Sequence, residues 1–166
     1  FALSKEVLKE IRQVFDKQHL EKTYLAITRG WVDDSGAIDY NLRSEDNPSK
    51  FQSSFTHYRC IARSSVDFPV GRYSSGRFSL VELKPKTGRK HQIRRHMAHI
   101  RHPILGDSTH GDGSQNRFLR ECCECNRLML RATRLEIKHP ISGEPLDLRA
   151  GDEAEFSRVL KKLKLI

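Results

Sequence analysis

The chain has 166 residues, enough for one compact domain with its own hydrophobic core. It carries 30 Lys and Arg residues against 21 acidic ones, a formal net charge of +9, which favours a polyanionic partner, nucleic acid before a membrane surface. No apolar run approaches the length of a membrane span and the start lacks a signal-peptide pattern, so we expect a cytoplasmic protein that is not bound to membranes.

The predicted elements begin with a helix and continue with strands. Ser4 has the properties of an N-cap, and apolar residues follow it at helical spacing over 7–15. The segment "TYLAITRGWV" (23–32) is rich in β-branched and aromatic residues and predicts a strand, ended by the turn residues "DDSG". A second strand over 37–42 is expected to form a hairpin with it, and the polar residues 43–54 predict an exposed loop.

The second half of the chain is predicted to contain both strands and helices. Strands are expected over 55–63 and 77–84, and helices over 89–101 and 115–124. A β-hairpin around the turn "ISG" and a closing amphipathic helix follow. Strands outnumber helices and are mostly joined by turns, so the predicted fold class is α+β around a mainly antiparallel sheet.

The most basic stretch is 84–107, "KPKTGRKHQIRRHMAHIRHPILGD", with seven Lys or Arg residues, four His and one acid. A solvated helix face usually mixes both signs of charge, so this imbalance indicates a bound anion. Arg89 and Lys90 follow the turn "PKTG" in the first turn of the predicted helix, where free backbone N–H groups also favour an anion. The combination predicts a phosphate site, although it lacks the spacing of a nucleotide P-loop.

Arg94 lies beside the apolar stripe of the same predicted helix. Ile93, Met97 and Ile100 fall on one helical face and should point into the core. Arg94 is rotated from Ile93 by about 100°, so its guanidinium should emerge at the margin of the core. Such an arginine commonly pairs with a carboxylate or a phosphate, because its fixed fork of donors matches both.

A metal site is the alternative use of the histidines and cysteines. His96, His99 and His102 recur at every third residue, but without the H-E-x-x-H arrangement of a zinc helix. Cys122 and Cys125 have the C-x2-C spacing of half a zinc site, and no second pair follows. We therefore expect reduced cysteines and no metal; a metal-dependent nucleic-acid protein stays as an alternative that elemental analysis would test.

Several motifs in the chain resemble those of one enzyme family. "LKPKTGRKHQIRRHM" followed by "HPILGD" resembles the C-terminal signature of the RluA-type pseudouridine synthases, and "KTYLAITRG" resembles their Lys-x-Tyr-x-Ala motif. Further segments resemble a tRNA-modifying branch of that family: "GWVDDSGAIDY", the doubled Arg94-Arg95, "GDSTHGDGSQNR" and "HPISGEPLDLRAG". The resemblance covers nearly the whole chain and implies the pseudouridine synthase fold, a mainly antiparallel mixed sheet with flanking helices.

The resemblance also implies an activity. These enzymes isomerise a uridine in RNA to pseudouridine without cofactor or metal, and the branch favours tRNA over ribosomal RNA. Their nucleophile is an Asp in a His-Arg-Leu-Asp motif, after which the chain runs through a strand into a segment like "FALS". We therefore expect the catalytic Asp upstream of Phe1, with residues 1–166 forming the rest of the catalytic domain, and we expect a monomer.

The family's functional residues can be carried over to matching positions. Tyr24 matches the tyrosine that stacks on the target uracil and helps to remove its C5 proton. Arg94 matches the arginine that pairs with the nucleophilic Asp, and a carboxylate buried under a flipped base needs such a charge. Four basic side chains are expected to hold RNA phosphates beside the cleft: Arg89, Lys90, His91 and Arg95.

Other interpretations of the sequence stay open. Asp33, Asp34 and Asp107 do not lie in a motif that matches the nucleophile, so none is assigned that role. Without its Asp the chain would act as a non-catalytic RNA-binding domain. A ribosomal RNA pseudouridine synthase is the other alternative, because the sequence does not define the target uridine.

Overall fold

A computed structural model describes residues 4–16, 20–47 and 49–166 of the chain. Four helices and eight strands lie within these residues. In chain order they are α1 (Lys5–Asp16), β1 (Leu20–Arg29), β2 (Ser35–Asp39), β3 (Leu42–Arg43), β4 (Phe51–Gln52), β5 (Phe55–Val66), β6 (Gly76–Pro85), α2 (Gln92–His99), α3 (Gly113–Cys123), β7 (Leu130–Lys138), β8 (Pro145–Arg149) and α4 (Ala154–Lys162).

Six of the strands form one sheet in the order β2-β5-β6-β1-β7-β8. Every pairing among the described strands is antiparallel, and β3 and β4 form a separate two-residue hairpin. The predicted α+β class with a mainly antiparallel sheet is therefore confirmed. Over the described ranges, no helix has both the length and the apolar character to cross a bilayer.

The central strand β1 has both of its edges paired. It lies between β6 and β7, and Ala26 and Ile27 at its middle are fully buried. The pairing with β7 shifts register between Thr23 and Tyr24, which is an irregularity of the β-bulge type. A bulge changes the direction of the side chains next to it, so Tyr24 lies where the strand departs from regular pairing.

Helices cover both faces of the sheet. On one face, the Phe78 ring of β6 stacks on Phe118 of α3 at 5.3 Å, and the Arg131 guanidinium of β7 lies 5.7 Å from the Phe156 ring of α4. The registers of β1 with β6 and β7 place Phe78 and Arg131 on this same face. Apolar and aromatic burial against α3 and α4 is the main source of stability on this side.

The opposite face carries Tyr24 and is covered by α2. Tyr24 pairs with Leu83, which precedes Pro85 by two residues, and Pro85 pairs with Thr56. Thr56 contacts His96 of α2 at 2.9 Å, so α2 packs on the Tyr24 side of the sheet. Only this face brings α2, the helix of the basic stretch, next to β1.

Two local predictions are wrong in their details. The expected hairpin between the first strand and residues 37–42 does not form, because β6 and β7 already occupy both edges of β1. After β1 the chain continues through Val32, which is buried and whose N–H donates to Ser79 Oγ. The next strand, β2, then pairs with the outer edge of β5. The loop predicted over 43–54 contains the short β4 and pairs it with β3.

Candidate active site

A cavity of about 350 Å³ opens where β1, the turn after β6 and the first turn of α2 meet. Its lining combines basic and polar side chains with apolar ones from three separate segments. The residues that line it and that matter for its chemistry are Lys22, Tyr24, Arg89, His91, Arg94, Leu128 and Leu130. Two residues that the sequence assigned to catalysis, Tyr24 and Arg94, are thus brought together on one cavity.

The Gln92 side chain determines where α2 begins. It is buried, and its Oε1 accepts from Thr87 Oγ1 at 2.7 Å and from the Arg89 N–H at 3.0 Å, while Nε2 donates to Thr56 Oγ1 at 3.1 Å. These bonds tie the turn after β6 to the sheet and hold His91 in the left-handed region at φ 53. The helix predicted over 89–101 therefore starts later, and Arg89 lies in the preceding turn.

Tyr24 and Lys22 form the β1 side of the cavity. Tyr24 is half-buried, and burial raises the pKa of its phenol, which stays neutral near pH 7. Burial lowers the pKa of Lys22, whose Nζ lies 3.5 Å from the Thr87 carbonyl oxygen. The β1 side of the cavity therefore presents the uncharged ring of Tyr24 beside the partly desolvated amine of Lys22.

Arg94 makes a two-pronged ion pair with Asp107. Its Nε donates to Asp107 Oδ2 at 2.7 Å and its Nη2 donates to Oδ1 at 2.6 Å. The Arg94 side chain is 16% exposed and that of Asp107 is 1% exposed. Arg94 thus lies at the margin of the core, as predicted from its helical position, and the pair fixes its orientation at the cavity wall.

Asp107 is held by backbone groups as well as by Arg94. Burial raises the pKa of its carboxyl, but hydrogen bonds from Arg94, His110 N–H and Thr109 N–H outweigh that effect and lower the pKa to about 2. The Asn116 side chain donates to the Asp107 carbonyl oxygen and steadies the loop. Asp107 stays ionised, and both of its oxygens are already occupied.

The four expected phosphate ligands occupy different surroundings. Arg89 and His91 line the cavity, and Arg89 Nε donates to the Ser53 carbonyl oxygen at 3.1 Å. Lys90 Nζ lies 2.5 Å from Glu45 Oε2, outside the cavity. Arg95 also lies outside it and has no ion pair with any residue in the described ranges. The structure therefore places two of the four on the cavity itself and two beside it.

Sequence reasoning missed His110 as a neighbour of the cavity. Its ring packs edge-on against His91 with the centroids 5.6 Å apart, and burial lowers the pKa of His110. Its buried Nε2 has no hydrogen-bond partner within the described residues. Nothing local in "GDSTHGDG" indicates this contact, because it depends on the loop that Asp107 folds back toward α2.

The other histidines of the basic stretch bind protein groups. His96 Nε2 lies 3.1 Å from the Tyr40 carbonyl and must donate to it, so its Nδ1 accepts from Thr56 Oγ1. His99 stacks on Tyr40 at 3.6 Å, and His102 Nδ1 donates to the last carbonyl of β1 at 2.8 Å. Among the residues that the structure describes, no three His, Cys, Asp or Glu side chains group as a metal would require.

The sequence matches a family model described as RNA pseudouridylate synthase over residues 1–99. It is 44% identical to a tRNA pseudouridine synthase C of Vibrio cholerae, covering 98% of this chain and 70% of that protein. The corresponding proteins of Pectobacterium carotovorum and Salmonella typhi are each 47% identical, and this chain spans 45% and 64% of their lengths. The chain belongs to the RNA pseudouridylate synthase family.

Solved structures support the same fold at lower identity. Human RNA Pseudouridylate Synthase Domain Containing 1 has a TM-score of 0.71 and 22% identity, covering 99% of this chain and 74% of that one. Human RNA Pseudouridylate Synthase Domain Containing 4 has a TM-score of 0.73 and 23% identity, covering 98% of this chain and 69% of that one. The expected pseudouridine synthase fold is therefore confirmed.

Proposed function

We propose that the protein to which this chain belongs isomerises a uridine in tRNA to pseudouridine. Family membership, the net charge of +9 and the relatives named as tRNA pseudouridine synthase C support this. The observation that carries the proposal is that Tyr24 and Arg94 line one cavity of about 350 Å³. A cavity of that size, with the Tyr24 ring on its β1 side, suits a single flipped-out base.

The nucleophile of this reaction would be an aspartate that is not among the described residues lining the cavity. None of the described residues that line the cavity is an aspartate or a glutamate. Asp107 is unsuited to the role, because both of its oxygens accept hydrogen bonds and its side chain is buried behind Arg94. A carboxylate brought to the cavity from elsewhere in the full protein would meet a basic wall that keeps it ionised.

Arg94 orients that carboxylate. A guanidinium offers five N–H donors in a fixed plane, and Asp107 uses only those of Nε and Nη2. Nη1 is left for a second carboxylate, and the position of Arg94 in the cavity lining supports this role. Asp107 in turn holds the arginine in place, so that the nucleophile meets a preorganised partner.

Tyr24 receives the base. During the reaction the N1–C1′ bond of the uridine breaks, the base turns, C5 bonds to C1′, and the C5 proton is replaced by a proton on N1. The neutral ring of Tyr24 suits stacking on the uracil, since its pKa is raised by burial. A part in removing the C5 proton would require a base to take the phenolic proton first.

The basic residues around the cavity hold the RNA backbone. Arg89 and His91 are on the cavity and Lys90 and Arg95 beside it, so they would contact phosphates on either side of the flipped nucleotide. No cofactor is required by this chemistry. The protein would act as a monomer on tRNA in the cytoplasm.

Arg94→Lys in the full-length protein tests the proposal. Lysine keeps the charge but loses the two-pronged geometry, so the rate constant for tRNA modification should fall by at least 100-fold and tRNA affinity by less than about threefold. Tritium release from tRNA labelled at uridine C5 measures the rate, and Arg95→Lys is the matched control. Equal, near-normal rates in both variants would overturn the assigned role of Arg94.

A non-catalytic RNA-binding domain is the competing function. The observation in its favour is that Arg94 already has a complete partner in Asp107 and could be purely structural. Full-length wild-type protein that binds tRNA and releases no tritium would favour it. Tritium release from ribosomal RNA but not from tRNA would instead identify the other class of substrate.

A further inference from the structure

A second cavity, of about 470 Å³, lies at the C-terminal end of β1. Its wall is formed by the end of β1, the segment 73–77 and the first turn of α3. It shares no lining residue with the candidate active site. Tyr24 and Arg29 are ~16 Å apart along β1 at about 3.3 Å per residue, and their registers with β6 place them on opposite faces.

Basic side chains dominate this second cavity. Arg29 and Arg77 line it, and Arg72 Nη2 donates to the Tyr73 hydroxyl at its edge at 3.0 Å. The adjacent acid, Asp112, is occupied, because it accepts from Arg29 Nη1 at 2.9 Å and caps the first turn of α3. Asp112 offsets the charge of Arg29, but the described lining residues include no carboxylate and Arg77 has no ion pair within the described ranges, so the cavity favours an anion at Arg77.

Two large aromatic rings are exposed at the same place. Tyr73 is 49% exposed and lines the cavity, and Trp31 is 48% exposed. The Arg77 guanidinium lies 4.5 Å from the centre of the Trp31 ring, and Trp31 Nε1 donates to the Ser64 carbonyl oxygen. These contacts fix Arg77 against Trp31. The Arg72 guanidinium lies 5.2 Å from the centre of the Tyr73 ring, so it covers one face, and the 49% exposure of Tyr73 leaves the other face for stacking.

A buried polar side chain at the edge of this cavity lacks a partner for its oxygen. Gln115 of α3 lines it and is only 7% exposed. Its Oε1 is buried without a hydrogen-bond partner among the described residues. Buried amide groups are almost always paired. A rotation of the terminal amide would turn this oxygen toward the cavity, where a nucleobase edge offers the N–H donors to pair it.

We propose that this cavity binds a second, unpaired nucleotide of the substrate RNA, distinct from the target uridine. Arg29 and Arg77 would hold its phosphate, Tyr73 would stack on its base, and Gln115 would bond to the base edge. Phosphate-binding guanidinium groups, an exposed aromatic face and a polar side chain are the combination that recognises single-stranded nucleic acid. The inference rests on the RNA substrate of the proposed function, and it adds a specificity contact that the cavity at Tyr24 does not provide.

Binding of unmodified transcribed tRNA to variants of the full-length protein tests this inference. Tyr73→Ala should weaken affinity by about 10-fold, whereas Tyr73→Phe should change it by less than twofold, because only the ring stacks. Arg77→Gln should weaken affinity severalfold and lower the salt-dependence slope by about 1, as one lost phosphate contact requires. Gln115→Leu, which fills the same space, should weaken affinity about threefold. Fluorescence anisotropy at several salt concentrations gives these values.

Lys161→Gln is the control, since Lys161 is an exposed residue of α4 outside both cavities and its loss changes the charge equally. The inference is overturned if the Tyr73 and Gln115 variants bind tRNA as tightly as this control does. Weaker binding by Arg77→Gln alone would not rescue it, because it would show only a phosphate contact. The proposed function fails separately, if wild-type protein binds tRNA through this cavity but releases no tritium from it.

Discussion

Asp107→Asn isolates the ion pair that holds Arg94 at the candidate active site. Asparagine keeps the shape and can still accept the Thr109 and His110 backbone N–H groups through its carbonyl oxygen. It loses the negative charge and one of the two acceptors that Arg94 uses at 2.6 and 2.7 Å. The substitution therefore leaves a mostly buried guanidinium without its partner charge.

Two features of the structure give the size of the effect. Removing one partner of a buried ion pair costs about 3–5 kcal/mol, and the 16% exposure of Arg94 places this pair at or below the lower end. Independently, a pKa lowered from 3.8 to about 2 corresponds to roughly 2 kcal/mol at about 1.36 kcal/mol per unit. We expect Asp107→Asn to lower the free energy of unfolding by about 2–3 kcal/mol at pH 7.

The loss of unfolding free energy in Asp107→Asn should become smaller as the pH falls. The carboxyl of Asp107 has a lower pKa in the folded than in the unfolded protein, so its stabilising contribution is complete above the unfolded pKa. It is lost as the pH falls through about 4 toward 2. Urea unfolding followed by circular dichroism, repeated from pH 7 to pH 3, should show the wild type and the variant converging at the acid end.

A surface pair provides the comparison. Asp147 makes the same two-pronged contact with Arg134, but it is exposed, so Asp147→Asn should have little effect on unfolding. Asp107→Asn should also slow tRNA modification more than it weakens tRNA binding. A stability difference for Asp107→Asn that is no larger than the one for Asp147→Asn, or that stays constant from pH 7 to pH 3, would refute the reasoning.

Further predictions concern the base, the phosphates and metal. Tyr24→Phe should retain most of the modification rate and Tyr24→Leu should lose at least 10-fold, since stacking needs only the ring. Equal losses in the Phe and Leu variants, measured in single-turnover assays, would assign a role to the phenol oxygen. Replacing Arg89 and Lys90 together by Gln should lower the salt-dependence slope of tRNA binding by about 2, and an unchanged slope would remove them from the phosphate contacts. Prolonged dialysis against a chelator should leave the modification rate unchanged, whereas loss that zinc restores would favour metal chemistry.

Parts of the candidate site could be predicted from the sequence because their signals are local. Tyr24 and Arg94 lie in short motifs, and the helical position of Arg94 next to Ile93 placed it at the core margin. The identity of its partner within the described chain could not be predicted from spacing alone. Asp107 was visible as the single acid of 84–107, but only the folded loop shows its two oxygens against Arg94.

The sequence by itself determined the family, the α+β class and most of the helices and strands, since these depend on local periodicity, capping and motifs. The tertiary structure decided which strands pair, because the edges of β1 are taken by β6 and β7, which leaves β2 to pair with β5. It also decided where α2 begins, through the bonds of Gln92, and which side chains meet at the cavities. These features depend on contacts between residues distant in sequence, and local preferences carry no information about such contacts.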